Sequence, residues 1–523
     1  MSDKRRFFKH TLIFGFGGAI DQLVPFILLP LYTNFLTPGE FGILGFLTIT
    51  TDIFKTVFLI GGVRLAAMTF YKQAESEEAR RRIAVTVSTL LWLFVAVAIA
   101  TSVYFINYID LVLKTGRTDV LAFGLAVMLL ETLIAVPMTL TQARLESLRY
   151  VLTNIVMGFT RMGLCIYFVA GLQWDIWGIL YAQAIIVGVF ATYLTCRELR
   201  IGSIYPDVTK WKEIFLFALP LVPSGIFTFI YSTTGRVFVL HIGPYDNETA
   251  WAALGLYVLA SKMMSVSVIM GARPMEKVWS AVMYDIYKKP DAARVFGTFT
   301  LRLLCVKAFA VLLISLFALE VIRIMCDSSY YDAAALVPLF GLLAVVATFS
   351  NQMDKTFFIT RKTNQKFLCT LFALPFLFLF MYLLVPRWGI WGAIIGQILA
   401  RIILTWITYF ITQRLFPIRF PLGKIAVLYT ITACCYGLSL LCGNGIELSP
   451  LTAEQFHELS RWEKIVDAWN RIQWISIIAK IGMMLLWGIL IWFSSVLSKE
   501  DKALAIRVLK RGLQKIRMYK AEP

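Results

Sequence analysis

The chain has 523 residues, of which 59% are hydrophobic and only 16% charged, with a mean hydropathy of +0.73. So little charge cannot furnish the polar shell that a soluble protein of this length needs, which excludes a soluble enzyme or binding module. The formal charge of +18 falls mostly in loops between apolar segments, where an anionic cytoplasmic leaflet accounts for it without nucleic acid.

Apolar stretches of about 20 residues, each long enough to cross roughly 30 Å of hydrocarbon as a helix, recur from end to end. In chain order they cover residues 11–36, 40–70, 83–106, 118–140, 150–170 and 174–196, then 213–240, 249–272, 295–325, 331–357, 367–386 and 388–412, and finally 424–442 and 473–497. The fold class is therefore all-α, a polytopic membrane protein of about 14 transmembrane helices. The basic start MSDKRRFFK precedes a first span that contains Asp21 and no small-residue cleavage site, so it reads as a retained helix and not a signal peptide. Segments on the N-terminal side of the membrane carry about 33 of the 50 basic residues and the opposite side about 6, which places both termini in the cytoplasm.

Between the last two spans, Thr452 and Gln455 stand at capping-box spacing. Phe456, Leu459, Trp462, Val466 and Trp469 then share one face, which predicts an amphipathic helix on the outer surface. The basic tail, residues 498–523, is expected on the cytoplasmic surface, with a synthesis partner as one candidate for docking there. The eight Cys lack paired spacing and the three His are scattered, so neither a disulfide framework nor a metal site is expected.

A ten-residue pattern occurs twice. WDIWGILYAQ begins at Trp174 and WGIWGAIIGQ at Trp388, both fitting W-x-I-W-G-x-x-x-x-Q, and 388 − 174 gives an offset of 214. FGILGFL at Phe41 and LGLYVLASKM at Leu254 agree at nearly the same offset, with Gly42 and Gly255 separated by 255 − 42 = 213. Spans 1 and 7 are both rich in Pro and Gly: Pro25 and Pro30 in one, Pro220 and Pro223 in the other. Corresponding points lie six spans apart, an even number, so the copies run parallel and imply two lobes related by a pseudo-twofold axis along the membrane normal. The resulting division is an N-lobe at 1–200, a C-lobe at 201–412, two extra spans within 413–497 and the tail at 498–523. The repeated motif itself reads as structural: Trp as interfacial anchor, Gly and Gln for close packing.

Three stretches, LLPLYTNFLTPGEFGIL (Leu28 to Leu44), FALPLVPSGIFTFIYSTTGRVFVLHIG (Phe217 to Gly243) and GLYVLASKM (Gly255 to Met263), carry a resemblance to a family. They resemble the polysaccharide transporter branch of the multidrug/oligosaccharidyl-lipid/polysaccharide flippase superfamily, which includes O-antigen, capsule and exopolysaccharide repeat-unit flippases. The resemblance implies two six-helix lobes forming a V-shaped central cavity lined by spans 1, 2, 7 and 8. It also implies a lipid-linked oligosaccharide as cargo, moved from the inner to the outer leaflet. One departure is plain: where the family often has Asp-Arg in span 7, this chain has Gly235-Arg236, so Arg236 lacks an acidic neighbour.

About 11 basic and about five acidic residues fall within spans, each costing on the order of 2.5–3.5 kcal/mol at mid-membrane. Arg64, Lys355, Arg302, Arg323 and Lys480 lie near span ends, where they are expected to snorkel to the interface. Asp52 and Lys55, and likewise Glu320 and Arg323, are three apart and suited to neutralise one another on a helix face. Arg161, Arg236, Lys262, Lys307 and Arg401 lie mid-span with no local acid, so each either has a tertiary ion-pair partner or lines an aqueous cavity. The excess of cations suits a pyrophosphate. By span position and resemblance the headgroup contacts are Lys55, Arg236 and Lys262, followed by Arg64 and Arg161. Asp21 and Asp52 are candidates for a Na+ or H+ site or for counter-ions, and no other cofactor or metal is called for. Gln22, Tyr32, Tyr231, Ser232, Thr233, Thr234 and Tyr257 are candidates for sugar contacts.

The function expected from these features is alternating-access flipping of polyprenyl-pyrophosphate-linked oligosaccharide repeat units for surface polysaccharide. The partners are then that lipid, the bilayer and polymerase or glycosyltransferase machinery around a monomer, with no nucleic acid. A cation-coupled multidrug or small-molecule exporter on the same fold is the alternative, and a lipid II-type precursor is a variant cargo. A membrane-embedded glycosyltransferase or polymerase would need catalytic acids in a sizeable outer loop, and 443–472 shows no such constellation.

Overall fold

A computed structural model describes residues 24, 27–144, 146–201, 205–219, 221–267, 275–276, 279, 283, 286–360, 362–440, 474–497 and 502–503. Among them every regular element is a helix. The first part of the chain forms α1 (Leu29–Phe35), α2 (Pro38–Val57), α3 (Ile60–Gln73), α4 (Glu77–Tyr104), α5 (Ile106–Leu113), α6 (Thr118–Leu130), α7 (Ala135–Ala143), α8 (Ser147–Cys165) and α9 (Asp175–Ile201). It continues with α10 (Thr209–Ala218), α11 (Leu221–Ile242), α12 (Asn247–Ser267), α13 (Ala292–Met325), α14 (Ala333–Ile359), α15 (Thr363–Leu415), α16 (Leu422–Ser439) and α17 (Trp474–Phe493). Each of the fourteen predicted spans coincides with one or two of these helices, the first being described only from residue 24 onward. Among the described residues nine helical segments are long and apolar enough to cross a membrane, and the bent pair α2–α3 makes a tenth. The predicted amphipathic helix after Thr452, the tail from residue 504, Asp21 and Gln22 lie outside the described residues.

One boundary differs from the hydropathy reading and another is kept by a kink. The single span expected at 40–70 is broken between α2 and α3, which are bent by 67°. The break falls at Leu59, whose φ of 60° is left-handed, a conformation that costs a non-glycine residue roughly 1–2 kcal/mol. Burial of the Leu59 side chain, 7% exposed, works against that cost. Further along, the 53 residues of α15 would reach about 80 Å if straight, far more than a bilayer. Gly389 (φ 53°, ψ −128°) interrupts its helical path, folding it back into the two predicted spans, 367–386 and 388–412.

The described chain forms two compact units. The first comprises Met1–Lys262, Met325–Leu336 and Lys366–Leu404. Part of its core is built from Val63, Leu91, Val95, Leu129, Leu133, Leu140 and Leu194. Here α2 starts with a capping box, Thr37 and Glu40 bonding reciprocally, and with Pro38 where no amide hydrogen is needed. It then crosses α12 at the duplicated glycines. A Cβ on Gly42 would lie 2.6 Å from the Trp251 carbonyl oxygen, and one on Gly255 would overlap the Pro38 carbonyl. The two helices therefore approach backbone to backbone at these glycines, as small-residue crossings in membranes do.

The second unit comprises Met263–Ile324, Val337–Gln365 and Thr405–Pro523. In it α13, α16 and α17 bury Leu304, Leu312, Leu428, Cys435 and Trp487 together, and the Trp487 indole donates to Thr432 Oγ1 at 2.9 Å. Lys480, expected to snorkel, is instead 5% exposed and forms an ion pair with the buried Glu320. Glu320 thus has a partner on another helix, beyond the Arg323 three residues away that its spacing suggested. Arg323 is itself only 8% exposed, and the Lys355 ammonium nitrogen is buried. Both are drawn into contacts within the protein.

Candidate functional site

In the first unit, α11, α12 and the second half of α15 bring two arginines and two tyrosines around one glutamine. The Arg236 guanidinium lies over the Tyr257 ring, 5.4 Å from its centroid. The Tyr257 hydroxyl donates to Gln397 Oε1 at 2.9 Å. Tyr231 donates from its hydroxyl to the Gln397 backbone carbonyl at 3.1 Å, and the Arg401 guanidinium lies over the Tyr231 ring at 5.6 Å. Each arginine thus rests on an aromatic face, which attracts a cation without neutralising it. Arg236 forms no ion pair with a described carboxylate, and its buried Nε lacks a hydrogen-bond partner among the described residues. The Gly235-Arg236 departure acquires a physical reason: a Cβ at 235 would stand 2.8 Å from Gln397 Nε2. The space an aspartate would fill is occupied by the glutamine amide.

Lys262 joins this group from α12. Its ammonium lies 4.6 Å from the centroid of the Phe41 ring, near enough to Arg236 for the two charges to repel. Phe41 meets Tyr330 edge-on at 6.0 Å, and the Tyr330 hydroxyl donates to the Leu36 carbonyl at 2.9 Å. A phosphate group entering such a site would find cations held by aromatic rings, with Arg236 in particular keeping N–H groups to donate.

The remaining predicted residues have different neighbours. Lys55 pairs with Asp52 at 3.3 Å, as their spacing indicated. Arg64 donates from Nε to Thr139 Oγ1 at 3.1 Å. Arg161, which has no acid on its own helix face, pairs at 2.6 Å with Glu131, in the 3-10 turn joining α6 to α7; it takes the ion-pair alternative. Tyr32 shares a hydrogen bond with Cys165 Sγ at 3.7 Å. Ser232 and Thr234 donate to carbonyls of their own helix, Phe229 and Ile230. Lys307 is 1% exposed in the second unit and donates to Ser267 Oγ at 2.7 Å.

Two members of the constellation were not among the predicted contacts. Arg401 stood out only as a mid-span charge, and Gln397 only as the last residue of the repeated motif. Their signal was in the spacing: four residues apart on one helix, they share a face. The motif itself begins, in both copies, at a break entering a helix, with Gln173 before α9 and Asp175 at its first residue both at positive φ, and Gly389 at positive φ within α15.

With the geometry described, known proteins can be compared. A family model described as polysaccharide biosynthesis protein matches residues 7–278. The chain belongs to that family. No curated protein matches significantly by sequence. Among solved structures, the lipid II flippase MurJ in an inward closed conformation superposes with a TM-score of 0.63 at 12% identity, covering 91% of this chain and 98% of that one. An inward-facing MATE family multidrug resistance transporter of the MOP superfamily matches with a TM-score of 0.55 at 16% identity, over 75% of this chain and 94% of that one. A MOP superfamily transporter from Pyrococcus furiosus, whose binding pocket is described as having reverse polarity, gives 0.53 at 15% identity over 78% and 95%. The fold of this multi-pass membrane protein is that of transporters and flippases, not of enzymes.

Proposed function

We propose that the protein flips polyprenyl-pyrophosphate-linked oligosaccharide repeat units from the cytoplasmic to the outer leaflet by alternating access, for surface polysaccharide synthesis. The observation that carries this reading is Arg236, a guanidinium on the 22-residue helix α11, lying over the Tyr257 ring and without an ion pair to a described carboxylate. A charge so placed is costly, and the cost is offset when an anionic headgroup arrives. Lys262, sharing the field of Arg236, adds a point charge to the guanidinium fork. Family membership supplies the polysaccharide context. The polyprenyl chain stays in the bilayer while the glycan crosses in a hydrated path between helices. In this reading both termini are cytoplasmic, in a bacterial inner membrane, and Asp21 and Asp52 are the candidates for coupling to Na+ or H+. An exporter of organic cations on the same fold would place carboxylates where Arg236 and Lys262 stand.

The test is a deletion strain in which the amount and leaflet accessibility of polyprenyl-linked oligosaccharides are measured. The expected result is a complete repeat unit accumulating on the cytoplasmic leaflet, reversed by the intact gene. Lipid-linked glycan on both leaflets, with surface polysaccharide unchanged, would overturn the assignment.

A further inference from the structure

The first unit carries a second charged site, built from residues that take no part in the Arg236 constellation. A pocket of about 490 Å³ is lined by Tyr71, Glu77, Arg80, Arg81, Arg144 and Glu146. These residues stand where α3 and α7 end and where α4 and α8 begin, so the pocket lies at the ends of these helices. The carboxylates around it are already engaged. Arg144 grips Glu198, which is fully buried, through two nitrogens at 2.8 and 2.5 Å, and donates from Nε to Tyr71 at 3.2 Å. Glu146 accepts from Arg149 and Arg197, both at 2.7 Å, and Glu77 from Arg80 at 2.6 Å.

Arg81 is left over: it is exposed and forms no ion pair with a described carboxylate. Counting the pocket and the network behind it, five guanidiniums (residues 80, 81, 144, 149 and 197) face three carboxylates (77, 146 and 198), a surplus of 5 − 3 = 2 positive charges. Arginine forks suit phosphate oxygens.

We propose that this pocket binds the phosphate headgroup of a membrane lipid, with Arg81 as the contact that neutralises it. Phosphatidylglycerol from the surrounding leaflet and a polyprenyl pyrophosphate approaching the transporter both present this chemistry. The site stands apart from the assignment of cargo, since it is defined by residues of its own.

The test is native mass spectrometry of the full-length protein in detergent, titrated separately with dioleoylphosphatidylglycerol and undecaprenyl pyrophosphate. Wild type is compared with Arg81→Glu and Arg81→Gln, and unchanged melting temperatures establish that the variants are folded. Arg81→Glu is expected to weaken binding of at least one of the two lipids about tenfold, with Arg81→Gln intermediate. A loss confined to phosphatidylglycerol identifies bulk lipid as the occupant, and one confined to undecaprenyl pyrophosphate identifies the cargo lipid. If both Arg81 variants bind both lipids as wild type does, the site does not exist. Failure of the flippase reading would appear instead in the deletion strain, so the two outcomes are separable.

Discussion

At the scale of single residues, Arg236 is the position where sequence and geometry converge. Its aromatic support from Tyr257 leaves the guanidinium charged and directional. Replacing it by Ala is expected to reduce surface glycan at least tenfold at unchanged protein level, the effect of losing a charge-assisted hydrogen bond. Arg236→Lys should fall between the two, because an ammonium keeps the charge but loses the planar fork. Glycan quantified beside an immunoblot checks both; lysine activity equal to wild type would reduce the role of Arg236 to a point charge. What the sequence disclosed at this scale was the type of each charge and the helix that carries it. Neighbours were hidden: nothing in the local spacing of Arg161 pointed to Glu131, thirty residues away, because ion pairs between helices depend on packing and not on sequence distance.

At the scale of helices, the α2–α12 crossing rests on two glycines, Gly42 and Gly255. Gly255→Ala should lower the melting temperature of the purified protein and its folded yield, since the added methyl overlaps the Pro38 carbonyl. Gly437→Ala in α16 is the matched control. Its Cβ would meet nothing within 4 Å, so helix propensity alone should leave stability unchanged or raise it by up to about 1 kcal/mol. A second element-level test concerns α17. Lys480→Met leaves Glu320 buried without that partner and is expected to destabilise by about 3–5 kcal/mol, with much of the loss recovered on adding Glu320→Leu. Thermal unfolding of the single and double variants measures this; a neutral single variant would show that the ion pair does not hold α17 in place.

At the scale of the molecule, the two units and their membrane-length helices belong to a transporter architecture, and its orientation is open to a direct measurement. Cys196 is exposed near the end of α9, on the side that the distribution of basic residues assigns to the cytoplasm. In a variant retaining Cys196 alone, intact cells should label with a membrane-permeant maleimide and not with an impermeant one. Labelling by the impermeant reagent would invert the topology, and with it the direction of transport proposed above.

The sequence by itself determined the class of molecule and the placement of its helices, because the bilayer imposes one strong requirement: every backbone polar group must be satisfied within an apolar segment of about 20 residues. That requirement is local, so it can be read without a partner in view. The repeat was legible for a similar reason, since duplication leaves its offset in the chain. Tertiary structure decided the rest. It broke α2 from α3 at Leu59, gave Glu320 to Lys480 and Glu131 to Arg161, and turned the final glutamine of the repeated motif into the bridge between Tyr231 and Tyr257. These are contacts between helices distant in sequence, fixed by which faces pack together, and helical periodicity alone does not encode that choice.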